Sequence, residues 1–501
     1  MTKRSNGIIL SYTYTFFNMI CGLLMSSFLL RQLGDTEYGL YQAVTAFATY
    51  LVMLEFGTGT VMSRNISLCR GKGEDEKIKN NISTLWYTAI FLSVLIAFVS
   101  FVFCINIGNI YKNSMTDVQV AYAKKIFVVI TIYLIASFLT NTLNGLLLGM
   151  EHYTFAQKTN IVKIISRTAL LVVLVSLKPN AMSIVFVDLL IGCSIFLFTF
   201  FYCKNKYKIK LKFSYFDAEI LKNSLPLCFA LLLQALINQA NTSIGKFIIG
   251  IRLSLESVAL YSVAQYLYNI IASISTIPIS MYLPQVAKDM SSGLKGKALT
   301  EKLVEPCRLV VIISGTVLCG FFAVGKPFIE LFYGANKKDA WIYALILIVP
   351  MFVNMTVGIL INVLDVANKR LTRSLSLMGT TILNIILTIF LIDKFNVLGA
   401  AIGTSVSLIL GNILVMGIYY KKVMHIEIIW LYLQAYKGIL PFQISSALIA
   451  FLISNILNNV YLSFLLGGIL YVVLCGTLII LFGLRNEEKE RLYLLVSKFK
   501  K

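Results

Sequence analysis

The chain has 501 residues, of which 58% are hydrophobic and only 13% are charged. Soluble domains carry about 25% charged residues, so this composition excludes a soluble enzyme, a disordered chain and an ordinary nucleic-acid-binding module. Only helices or closed barrels satisfy the backbone inside lipid, and we predict an all-α integral membrane protein.

About fourteen segments are apolar over the roughly 20 residues that a helix needs to cross the hydrocarbon layer. The first follows two basic residues, as a signal peptide would, but its length and its tyrosine and threonine content predict a retained helix. In chain order the predicted spans lie near 8–30, 39–63, 82–106, 124–148, 159–177, 181–202, 223–246, 256–284, 304–325, 340–364, 372–392, 397–420, 438–457 and 461–484.

The net charge of +21 is explained by topology. With the N-terminus inside the cell, roughly three quarters of the lysine and arginine residues fall on the cytoplasmic side, which is the positive-inside pattern. We therefore predict an even number of helices, both termini in the cytoplasm and a location in the cell membrane. The lysine-rich segment 204–213 is expected to contact anionic lipids of the inner leaflet, and no nucleic-acid partner is required.

Neither a metal centre nor a cofactor is expected. The chain has two histidines, and its nine cysteines are scattered without a C-x-x-C spacing, so they are expected to be free, buried thiols. Catalysis is also not expected, because no outer loop exceeds about 20 residues. The acidic pair Asp35 and Glu37 lies in a short loop after Gly34 and is typical of a turn.

Two regions of the sequence resemble each other at an offset of about 220 residues, which indicates an internal repeat. Residues 29–41 are similar to residues 247–261. Two parallel repeats are a transporter architecture, in which the substrate binds between the lobes. We predict two six-helix lobes related by a pseudo-twofold axis in a V shape, followed by an extra helix pair. The predicted parts are an N-terminal lobe at 1–203, a basic linker at 204–222, a second lobe at 223–422, helices 13 and 14 at 436–484, and a cytoplasmic amphipathic tail at 486–501.

Three stretches, RQLGDTEYGLY at 31–41, EFG at 55–57 and VLGAAIGT at 397–404, resemble the polysaccharide transporter family. This family includes the O-antigen and teichoic-acid type flippases of the multidrug/oligosaccharidyl-lipid/polysaccharide export superfamily. The resemblance implies a monomeric flippase that uses alternating access to move a polyprenyl-diphosphate-linked oligosaccharide from the inner to the outer leaflet. Its implied pathway is the synthesis of a surface polysaccharide such as lipopolysaccharide, with a polymerase or glycosyltransferases as candidate partners.

Two other functions stay open from the sequence. One is a cation-coupled multidrug exporter, although the predicted helices 13 and 14 favour the flippase. The other is a lipid-sugar polymerase or ligase, which the short outer loops disfavour.

Four ionisable residues lie deep within predicted spans, where charge is costly unless it faces a cavity or a partner. Arg167 and Lys163 share one face of the fifth span and could hold the cargo diphosphate; alternatively, Lys163 reaches the headgroups and Arg167 caps a helix. Asp188 and Glu55 could take up a proton in a coupling cycle. Each acid could equally be a static partner of Arg167 or Arg64.

Amide side chains form a second group of candidates. Gln234, Asn238 and Asn241 recur at i, i+4 and i+7 in the seventh span, and Asn18 lies in the first. Because the first helices of each lobe line the central cleft in the superfamily that the chain resembles, these amides could meet sugar hydroxyls. Hydrogen bonds between helices would use the same residues.

Overall fold

The computed structural model describes the backbone of residues 3–55, 57–207, 215–367 and 369–490. All of the regular secondary structure in these residues is helical, and they contain no strand. The helices are α1 (Lys3–Leu51), α2 (Thr58–Lys72), α3 (Asp75–Ile110), α4 (Asp117–Gly149), α5 (Tyr153–Leu177), α6 (Ala181–Tyr207), α7 (Ala218–Arg252), α8 (Leu255–Met281), α9 (Leu283–Ser291), α10 (Gly296–Val310), α11 (Thr316–Tyr333), α12 (Ala340–Thr356), α13 (Leu360–Val366), α14 (Arg370–Leu408), α15 (Met416–Met424), α16 (Ile428–Tyr436), α17 (Leu440–Ile456) and α18 (Val460–Leu478).

The predicted all-α membrane architecture is confirmed. Each predicted span overlaps a helix, but two pairs of spans are joined by sharp bends instead of loops. Gly34 bends α1 with a φ of 75°, and Asn396 bends α14 with a φ of 51°. Glycine tolerates a positive φ without strain, and asparagine is enriched in that region.

Within the described residues, nine helices are long and apolar enough to cross a membrane. The number becomes eleven if each of two bent pairs, α12 with α13 and α16 with α17, forms one span. The figure of fourteen spans therefore stays a prediction. Of the amphipathic tail expected at 486–501, only a helical start at 486–490 lies within the described residues.

The chain forms two compact units, Met1–Ser262 and Val263–Lys501. The first unit holds α1–α7 and the start of α8, so α7 packs with the helices that precede it. The division into lobes at 1–203 and 223–422 stays a proposal based on the sequence repeat.

Small residues allow α2 and α4 of the first unit to approach closely. A Cβ atom added to Gly145 would lie 2.1 Å from the carbonyl oxygen of Gly59. The hydroxyls of Thr58 and Thr142 hydrogen-bond nearby at 3.1 Å. Such small-residue contacts hold helices together in lipid, where the hydrophobic effect does not.

A buried arginine organises the second unit. Arg308 is 1% exposed, and its guanidinium donates to both oxygens of Glu488 at 2.6 and 3.0 Å. It also donates to three backbone carbonyls, those of Lys437 at 2.8 Å, Gly483 at 2.9 Å and Gln434 at 3.3 Å. Arg308 thus ties α10 to the C-terminal end of α16 and to the residues that follow α18.

The environment of Glu488 has an electrostatic consequence. Burial alone would raise the pKa of the Glu488 carboxyl, but hydrogen bonds from Arg308 and from the backbone N–H of Arg485, together with their charges, hold the pKa below its usual range. A carboxyl with a lowered pKa stabilises the fold above the ordinary carboxyl pKa. That contribution is lost as the pH falls through the folded-state value.

We expect Glu488→Gln to lower the free energy of unfolding by about 1.5–3 kcal/mol near neutral pH, because it removes a charged partner of Arg308. Thermal unfolding of the detergent-purified protein measures this. As the pH falls below about 4, the stability of the variant should also decrease less than that of the wild type, because the variant has no carboxylate to protonate at this position. Glu490→Gln, at an exposed position, is the matched control and should behave as the wild type. Identical pH profiles for Glu488→Gln and the wild type would contradict the role of this pair.

Candidate functional site

Charged and aromatic side chains gather among α1, α4, α5 and α6 of the first unit. Arg167 of α5 forms a two-point ion pair with Asp188 of α6, in which Nη2 donates to Oδ2 at 3.1 Å and Nε donates to Oδ1. The Tyr41 hydroxyl of α1 and the Tyr133 ring of α4 lie close to this pair. We call Arg167, Asp188, Tyr41, Tyr133 and Lys163 the Arg167 cluster.

Lys163 lies one turn before Arg167 on α5. Its Nζ stands 5.7 Å from the centre of the Tyr133 ring, which is the geometry of a cation–π contact. The cluster contains two cations and one anion. It therefore retains one positive charge, which Lys163 carries.

The ion pair answers one question that the sequence left open. Of the two acids considered as static partners, Asp188 is the one that pairs with Arg167. Asp188 is only 9% exposed. The guanidinium fork expected to hold a diphosphate is thus already occupied by a carboxylate. A phosphate could bind this Nε–Nη2 edge of the guanidinium only by displacing Asp188.

Glu55 lies apart from this cluster, at the break between α1 and α2. The break consists of a 3₁₀ turn, Val52–Glu55, followed by Gly57 with a φ of 65°. The Asn141 side chain of α4 donates to Oε2 of Glu55 at 3.2 Å. Within the described residues Glu55 forms no ion pair with Arg64, which is exposed. The carboxylate is therefore bound by a neutral amide at a helix break.

The predicted amide stripe is only partly visible. Asn18 is exposed on α1. The backbones of Gln234, Asn238 and Asn241 lie in α7, whereas their side chains lie outside the described residues. Whether they bind sugar hydroxyls stays a proposal.

A different face of α7 meets α1. Gln239 donates its amide to the hydroxyls of Thr49 and Ser243. Seven residues before Thr49 on α1 lies Gln42, and one turn after Ser243 on α7 lies Lys246. The Nζ of Lys246 donates to Oε1 of Gln42 at 3.3 Å. We call Gln42, Thr49, Gln239, Ser243 and Lys246 the α1–α7 seam.

Sequence reasoning missed this seam. Lys246 falls at the end of the seventh predicted span, where a lysine is usually taken as interfacial. A signal was nevertheless present, because Gln239, Ser243 and Lys246 recur at i, i+4 and i+7, and Gln42 and Thr49 are also seven residues apart. Two polar stripes of matching period predict two helix faces that could pair.

The described residues offer no group of three or more histidine, cysteine, aspartate or glutamate side chains that could hold a metal ion. All nine cysteines are free.

Comparisons with known proteins agree on the kind of molecule. A family model described as "Polysaccharide biosynthesis protein" matches residues 5–290, more than half of the chain. No curated protein matches the chain.

Solved structures show the same fold. The lipid II flippase MurJ in an inward closed conformation is 16% identical, with a TM-score of 0.74 over 94% of this chain and 99% of that one. An inward-facing MATE multidrug resistance transporter of the MOP superfamily is 14% identical, with a TM-score of 0.60 over 82% and 96%. A MATE protein in complex with MaD3S is 15% identical, with a TM-score of 0.56 over 86% and 97%. The resemblance inferred from the sequence is confirmed.

We expect the Arg167–Asp188 pair to act as a unit. Removing either partner leaves an uncompensated charge in a low-dielectric site, so Arg167→Leu and Asp188→Leu should each destabilise the protein by about 2–3 kcal/mol. The double variant should be more stable than the sum of the single losses implies. Thermal unfolding of the four purified proteins gives the coupling energy.

Lys158→Leu, at an exposed position on the same helix, is the control for loss of a positive charge from α5. Additive single losses, with no coupling between positions 167 and 188, would contradict the ion pair as a stabilising element.

Proposed function

Because the chain belongs to the family of polysaccharide biosynthesis proteins, we propose that it is a flippase for a lipid-linked oligosaccharide. It would move a polyprenyl-diphosphate-linked oligosaccharide from the inner to the outer leaflet of the cell membrane, by alternating access. The cargo would then serve the assembly of a surface polysaccharide.

The observation that carries this proposal is the extent of the structural match. The likeness to the lipid II flippase covers nearly all of both chains. The likeness to the MATE transporter covers nearly all of that chain but leaves about a fifth of this one unmatched. We propose that this difference reflects the extra helix pair beyond twelve helices that the sequence predicts. The same comparison disfavours a small-molecule drug exporter.

We further propose that the protein is not an enzyme. Helices α3 and α4 are joined only by the residues between Ile110 and Asp117, a shorter connection than the sequence predicts. No connection within the described residues is long enough to form a separate catalytic domain. Moving a lipid headgroup requires a polar path through the membrane and no chemical step.

The proposed topology has both termini in the cytoplasm. The lysine-rich segment at 204–213 would then face anionic lipids of the inner leaflet. The protein would work as a monomer, and a polysaccharide polymerase or glycosyltransferases are its proposed pathway partners. No nucleic acid, metal or cofactor enters this function.

The proposed roles of the site residues follow from charge. Lys163 and Arg167 would attract the cargo diphosphate, with Arg167 available when Asp188 releases it. Asp188 or Glu55 would take up a proton in the coupling cycle, since protonation would weaken the ion pair of one and the hydrogen bonding of the other. The amides Asn18, Gln234, Asn238 and Asn241 are the proposed contacts for sugar hydroxyls, because amides both donate and accept.

Depletion of the protein in its native cell should cause the lipid-linked oligosaccharide to accumulate in the inner leaflet and surface polysaccharide to fall. Extraction of lipid-linked sugars, combined with surface labelling of glycan, measures both quantities. Re-expression of the wild type should restore both, and sensitivity to amphiphilic drugs should stay unchanged throughout. Drug hypersensitivity with normal surface glycan would instead identify an exporter of small molecules.

A further inference from the structure

The α1–α7 seam contains a positive charge that the described residues do not neutralise. Lys246 donates to the Gln42 amide oxygen, and no carboxylate within the described part of the chain lies within 4 Å of its Nζ. Arg167 and Arg308, by contrast, are each held by both oxygens of a carboxylate. An ammonium has three donors, so an amide oxygen satisfies only part of its hydrogen-bonding capacity.

A second donor on the same face of α1 is also unsatisfied. Tyr50 lies eight residues after Gln42, which places both on one side of the helix, and its ring packs against Phe247, the neighbour of Lys246. The Tyr50 hydroxyl is buried and has no hydrogen-bond partner within the described residues. Two donors without adequate acceptors are a chemical environment suited to an anion.

The seam lies at nearly the same depth as the Arg167 cluster. Tyr41 contacts that cluster, and the next residue, Gln42, contacts Lys246. Consecutive residues of an α-helix differ by about 1.5 Å along the axis and about 100° around it. Adjacent positions of α1 therefore contact two cationic sites at nearly the same depth, one compensated by Asp188 and one bound only by an amide.

We propose that Lys246 is an anion-binding residue for the diphosphate of the lipid-linked cargo. When no cargo is bound, the Gln42 side-chain oxygen accepts the hydrogen bond from Lys246. This inference rests on the proposed function for the identity of the anion. A phosphate oxygen replaces the Gln42 oxygen as acceptor, which exchanges a neutral hydrogen bond for a charge-assisted one. At Arg167 the positive charge is already compensated by Asp188, whereas no carboxylate pairs with Lys246 within the described residues, so Lys246 binds the diphosphate more readily.

Binding of farnesyl diphosphate to the detergent-purified full chain tests this directly, with uncharged farnesol as the probe for the lipid tail alone. Lys246→Met keeps most of the length of the side chain and removes the charge. It should weaken farnesyl diphosphate binding about tenfold or more and leave farnesol binding unchanged. Lys246→Arg should retain most of the affinity. Lys158→Met, at an exposed position, should bind as the wild type does.

Gln42→Glu provides a readout that a purely structural lysine would not give. The new carboxylate should pair with Lys246, raise the unfolding temperature and weaken farnesyl diphosphate binding, because the anion site is then filled from within the protein. This variant also keeps the proposal testable if Lys246→Met does not fold. Unchanged diphosphate affinity in a folded Lys246→Met, or in Gln42→Glu, would overturn the proposal.

Transport of the lipid-linked oligosaccharide separates this inference from the proposed function. Diphosphate binding that depends on Lys246, in a protein that moves no lipid-linked oligosaccharide, would support the anion site and contradict the flippase. Normal transport together with normal diphosphate binding by Lys246→Met would support the flippase and contradict the anion site.

Discussion

The cost of placing charge in hydrocarbon governs the described structure. A charged side chain in the membrane must find a partner, an aqueous cavity or the headgroup region. Arg167 and Arg308 meet this requirement with a carboxylate held at two points, and Arg308 adds three backbone carbonyls. The first pair joins the neighbouring helices α5 and α6, and the second joins α10 to a segment 180 residues further along the chain, so the need to compensate charge also fixes how these elements pack.

The difference between paired and unpaired cations has a functional consequence. A two-point ion pair resists exchange, because removing either member leaves the other uncompensated. A lysine held by an amide can accept a better partner at little cost. Lys163, over the Tyr133 ring, and Lys246, beside Gln42, are the cations of this second kind among the site residues described. A transport path for an anionic headgroup needs such groups, since a site that never releases its partner cannot admit the cargo.

The sequence predicts the fold class and the family because both depend on hydropathy and on short motifs along the chain. It does not predict that the chain bends at Gly34 and Asn396 instead of forming a loop there, because a bend and a loop produce the same minimum in hydropathy. The sequence does not identify the partner of Arg167, since Asp188 and Glu55 are both acidic residues that lie deep within predicted spans. Only packing shows that α6 presents Asp188 to Arg167. Periodicity likewise gives the polar faces of α7 but not the one that meets α1, which is why Lys246 was missed.

The central claim is that this protein moves lipid-linked oligosaccharide between leaflets. The most direct test uses the purified protein reconstituted into liposomes that contain such a lipid. A membrane-impermeant glycosidase is added outside the liposomes, and the fraction of the lipid-linked sugar that it releases is measured. The account predicts that release rises from about half, the fraction set by random orientation of the lipid, towards completion only when the protein is present. Release that stays at the level of protein-free liposomes, with the protein folded and inserted, would contradict it.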